Sequence, residues 1–121
     1  MAKRSTAPDD EAEIEVTRGS GNVFVDLGLP NPEERLAKAE LSRVIAEVIR
    51  DREWSQKQAA EALGIATSDM SNVLRGKLRS FSQERLERFL NALDMEVRIQ
   101  VGPRPAWKDR AGVTVERVAS F

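Results

Sequence analysis

Residues 55–76 read SQKQAAEALGIATSDMSNVLRG: two short helical patterns back to back, with one glycine between them. This stretch constrains the fold more than any other. Helices so short are marginal alone, because nucleation is costly. Each must therefore be held by other parts of the chain. Ser55-x-x-Gln58 is a capping box, in which each side chain satisfies the other residue's backbone N–H. The first helix should run Gln56–Leu63, and Gly64 supplies the left-handed conformation that ends it. The second should cover about Thr67–Leu74, stopped by Gly76. Ala59, Leu63, Ile65, Met70 and Val73 are the apolar positions that lock the pair to its neighbours. Ala60 must be small, because the two helices cross close to it.

This is the spacing of a helix-turn-helix, with its second helix presented outward to the major groove of DNA. Thr67, Ser68, Ser71 and Asn72 are short hydrogen-bonding side chains able to reach base edges. Asn72 is the strongest candidate, since an amide bonds adenine bidentately. Gln56, at a helix start with a favourable dipole, suits a phosphate contact. Arg75, Lys77 and Arg79 follow the second helix and would grip backbone phosphates. Plainer roles compete. Thr67 or Ser68 could serve only as a cap, and a basic trio is by default a solvated surface. Asp69 repels phosphate unless it stabilises the helix start or accepts from a cytosine amine.

The flanking chain supplies what holds the pair. Residues 1–20 are polar and charged, and are expected to be a disordered tail. Residues 21–30 form an apolar arm, with Val23, Phe24, Val25, Leu27 and Leu29 outside any helical pattern. The arm either folds back on the core or binds a partner as a strand. Residues 31–101 are read as the DNA-binding domain. Asn31-Pro32-Glu33-Glu34 starts a helix to about Arg52: Asn caps, Pro is tolerated first, and acids suit the dipole. Ala37, Leu41, Val44, Ile45, Val48 and Ile49 make its apolar face. Trp54 should pack over the helices on either side of it. Ser82 caps a last helix with Leu86, Phe89, Leu90 and Leu93 inward. Residues 95–101, MEVRIQV, alternate strictly and predict a half-buried strand, with Met95, Val97, Ile99 and Val101 on one side. A lone strand leaves its edges open. It must pair with the weaker alternation at 113–118, with the same strand of a second subunit, or with a partner's sheet. Pairing across a two-fold axis is favoured, because it also sets the spacing of two recognition helices. Residues 102–121 are read as a tail, and Trp107 in it has no assigned role. The expected fold is mainly α: a compact four- or five-helix domain with a C-terminal β-strand, in a small hairpin or an inter-subunit ribbon.

Composition narrows the function. The 121 residues include no Cys, His or Tyr, which removes disulfides, imidazole acid/base work and the usual zinc sites. Nothing pairs a nucleophile with a base, so no enzyme and no cofactor is expected. Zero cysteine and the absence of an apolar leader or span fit a cytoplasmic protein. The formal charge is −1, yet it is unevenly spread. Residues 1–35 hold four bases against eight acids, whereas residues 74–88 hold five bases against two. A local basic patch is what phosphate contact requires.

Residues 33–94 resemble the DNA-binding domain of the XRE family, the lambda-repressor and Cro-like regulators. The wider run, from SGNVFVDLGLPNPEERLAKAEL through GKLRSFSQERLERFLNALDMEVRI, is similar to the HigA-type antitoxins of type II toxin–antitoxin systems. That resemblance implies a homodimer on a palindromic double-stranded DNA operator. It also implies repression of its own operon and neutralisation of a RelE/HigB-like toxin. Such toxins are basic, so the acidic and apolar stretch 14–29 is the expected toxin surface, with the C-terminal tail as rival. Two other readings stand beside it. One is a stand-alone regulator. The other is a protein–protein adaptor on the same fold, which Asp69 and the near-zero net charge favour.

Overall fold

The computed structural model describes residues 22–121. The tail expected at 1–20, and the acids before residue 22 in the expected toxin surface, lie outside them. Five helices follow in order: α1 (Val23–Asp26), α2 (Pro32–Asp51), α3 (Gln56–Leu63), α4 (Thr67–Leu74) and α5 (Gln83–Ala92). α2 is the axle. α1, α4 and α5 pack on it, α3 packs on α4, and α3 also meets α5. The core gathers where these faces meet: Ile45 and Val48 from α2, Met70 and Val73 from α4, and Leu86 and Leu90 from α5 are all buried. The apolar spacing read from the sequence therefore points inward on every long helix.

Local signals explain where the helices begin and end. At α3, Ser55 Oγ accepts from Gln58 N–H at 3.1 Å and the Gln58 side chain accepts from Ser55 N–H at 2.8 Å. The capping box is complete. Gly64 ends the helix at φ 71°, and a Cβ there would meet nothing within 4 Å. Glycine is needed at this turn for its backbone freedom, not for space. Ser82 caps α5 through Arg85 N–H at 3.0 Å. Trp54 is half-buried on the core cluster, with the Arg52 guanidinium 5.2 Å from its ring centroid.

Of the two readings of the arm, folding back on the core is the one found: residues 22–30 return as a helical turn rather than a strand, capped by Asn22, whose side chain accepts from Phe24 N–H at 2.9 Å and donates to Pro32 O at 3.0 Å. Phe24 is fully buried against the chain's own interior. It is not available as a partner anchor, and Leu27, 54% exposed, is the one large apolar side chain the arm leaves open. Asn31 does not cap α2 with its side chain. It sits at φ 51°, a left-handed position that asparagine tolerates and that turns the chain from α1 into α2.

A second correction concerns the terminal strand. Among the described residues no strand forms, at 95–101 or at 113–118. The alternation still has a physical meaning: Met95, Val97 and Val115 pack against the core cluster, while Glu96, Arg98 and Gln100 stay exposed. The two segments do not pair because the later one is taken up by α2. Gly112 lies against the Glu33 carboxylate. Val115 N–H donates to Glu40 at 3.1 Å, and Arg117 reaches Glu47 at 3.4 Å and Asp51 at 3.0 Å. Glu33, Glu40, Glu47 and Asp51 recur at helical spacing, so the tail follows one stripe of α2.

Candidate nucleic-acid interface

α4 turns two faces in opposite directions. Met70 and Val73 are fully buried. At roughly 100° per residue, Thr67, Ser71, Arg75, Ser68 and Asn72 fall together on the opposite side. Thr67, Ser68 and Arg75 are exposed, and Ser71 and Asn72 are half-buried. The structure thus brings the predicted reading residues onto one outward face. Asp69 lies beside that face rather than at its centre, half-buried in the first turn of α4, where an acid suits the helix dipole. Gln56 opens α3 and is exposed.

The bounds of α4 are those expected, and the plainer role of cap is not the one Thr67 and Ser68 play. Neither Thr67 nor Ser68 is the N-cap. Ala66 holds that place at φ −67°, ψ 150°, with no side-chain hydrogen bond. Thr67 and Ser68 are thereby spared for other contacts. Ala66→Ser should raise unfolding free energy by about 1 kcal/mol, read as a higher midpoint in urea with an unchanged slope. An unchanged midpoint would mean that the first turn of α4 is already satisfied.

The basic patch of residues 74–88 splits once folded. Arg85 is half-buried over two rings, 4.8 Å from Phe81 and 5.4 Å from Phe89. Arg88 faces Glu84 at 3.7 Å, one turn away on α5. Arg75, Lys77 and Arg79 remain beside the end of α4. Arg75 and Arg79 are exposed and Lys77 is half-buried. Gly76 makes the turn at φ 73°, and Lys77 N–H returns to Asn72 O at 2.8 Å.

Sequence reasoning missed what carries this loop. Leu78 and Phe81 are 1% and 2% exposed and act as two pegs, with Arg79 and Ser80 exposed between them. Phe81 meets Phe89 edge-on at 6.0 Å. Lys38, also missed, is buried beneath the loop. Its position four residues before Ser42 and three before Leu41, inside the inward face of α2, was the available signal.

A helix pair held this way, with a polar face turned out and cations at its end, defines a DNA-binding helix-turn-helix protein. A helix-turn-helix domain family matches residues 23–102, and the chain belongs to that family. A solved structure named for the XRE family of transcriptional regulators is 37% identical, with a TM-score of 0.67, over 74% of this chain and the whole of that one. The chain is thus of the XRE type. No curated protein matches it.

Proposed function

We propose that this chain is a dimeric, sequence-specific repressor that also acts as the antitoxin of a RelE/HigB-like toxin. The observation that carries the DNA-binding half is the outward face of α4, set opposite Met70 and Val73. In this reading Thr67, Ser68, Ser71 and Asn72 meet base edges, while Gln56, Arg75, Lys77 and Arg79 meet phosphates. Half-sites are normally spaced about one helical turn apart, which calls for two copies. Ile99 and Val101 are 76% and 94% exposed, and the Arg98 guanidinium lies 4.1 Å from the ring centroid of Phe121. These apolar side chains would be covered by the same segment of a second subunit, with Met95 and Val97 anchoring it to the core. Sedimentation at micromolar concentration should find a dimer that Ile99→Asp with Val101→Asp dissociates. A wild-type monomer would end this assembly.

The antitoxin half rests on the resemblance of the flanking segments, with the arm around Leu27 as the toxin surface. Cells expressing the neighbouring open reading frame, with and without this chain, test it. Growth arrest relieved by this chain supports the reading. A harmless neighbour, or no rescue, leaves the stand-alone regulator, which the likeness to an XRE regulator favours. Selection of duplexes from a randomised pool would then recover the operator in either case.

A further inference from the structure

A buried cation stands beneath the loop that carries the phosphate-binding residues. Lys38 is 8% exposed. Its Nζ donates to Leu78 O at 3.1 Å and to Phe81 O at 2.9 Å. Phe81 N–H also returns to Leu78 O at 2.9 Å, so the two carbonyls bracket one tight turn. Arg79 and Ser80 project from that turn. One turn further along α2, Ser42 Oγ donates to Val73 O at 2.7 Å and holds the last turn of α4. Two polar side chains of α2, four residues apart, thus grip the backbone on both sides of Arg75 and Lys77.

Packing alone does not call for a lysine here. Burying an ammonium is costly, and replacing buried charges by apolar side chains is often neutral or stabilising. What a lysine does that an aliphatic cannot is fix two carbonyl oxygens at once, and with them the direction of the loop. We propose that Lys38 is a positioning residue for DNA binding, acting through the 77–81 turn to aim Lys77 and Arg79 at phosphates. This rests on the DNA-binding reading above.

The test is a double-mutant cycle on the selected operator duplex, with affinity measured across about 50 to 300 mM salt. The log–log slope reports phosphate contacts, at about 0.9 per contact. Arg79→Ala should lower the slope by about one. Lys38→Met should lower it by about one to two without touching DNA, and Arg79→Ala added to Lys38→Met should lower it no further. A lysine needed only for the fold would lower the melting temperature yet leave the slope of the folded protein unchanged. A wild-type slope for Lys38→Met, or additive losses in the double variant, overturns the inference. If Lys38→Met does not fold, Lys38→Gln enters the same cycle, since its amide keeps N–H donors but, one bond shorter than lysine, places them short of the two carbonyls. Absence of salt-dependent binding by the wild-type chain overturns the DNA-binding reading, and this inference with it.

Discussion

Phe81→Ala should cost about 3–5 kcal/mol of unfolding free energy, the largest loss expected from any single truncation outside the helices. The side chain is 2% exposed, packs edge-on against Phe89 and lies beneath the Arg85 guanidinium. Removing it opens a cavity between the 77–81 turn and α5 that neither partner can fill alone. It also frees the end of the turn whose carbonyl Lys38 holds. Urea denaturation is the measurement, with a midpoint lowered in proportion and a similar slope. Leu27→Ala is the control: it is exposed and should stay within about 0.5 kcal/mol of wild type. A Phe81→Ala loss below about 1 kcal/mol would mean that the loop is not pegged by this ring.

Asn72→Ala should weaken operator binding by about 1–3 kcal/mol, roughly 5- to 150-fold, while binding to unrelated duplex stays as it was. The amide is half-buried on the outward face of α4, where a bidentate bond to adenine is within its chemistry. Truncation spares the backbone, so Asn72 O still holds Lys77 N–H and the phosphate contacts persist. Affinities for the operator and for single-base variants, taken at one salt concentration, decide the point. The loss should vanish at one base pair only, the one Asn72 reads. Equal weakening on every duplex would assign Asn72 to backbone contact or to the fold, and base reading would pass to Ser68 or Ser71.

Much of this was legible before folding because it is local. The capping box at Ser55, the turn at Gly64 and the cap at Ser82 depend on residues three or four apart. The inward faces of α2 and α5 depend only on helical repeat. The outward face of α4 was legible for the same reason: once Met70 and Val73 are inside, residues 67, 68, 71, 72 and 75 must be outside. The failures were cases in which a distant neighbour decided. Asn31 looked like a cap, but the turn out of α1 placed it in the left-handed region. Residues 95–101 alternate as a strand does, yet only Met95 and Val97 pack on the core, and Ile99 and Val101 on the same side stay exposed. The tail that could have paired with them lies along the acids of α2 instead.

The sequence alone determined that a short helix pair exists, where it turns, and which side chains it can offer outward, since period and caps are properties of neighbouring residues. Only the tertiary structure decided which cations stay beside that face. Arg85 was drawn onto two phenyl rings, Lys38 was buried under the 77–81 turn, and Arg75, Lys77 and Arg79 were left at the end of α4. A charge carries no mark of its partner in the sequence. Its role is settled by what the folded chain brings within a few ångströms of it, and for Lys38 that was two carbonyl oxygens some forty residues away.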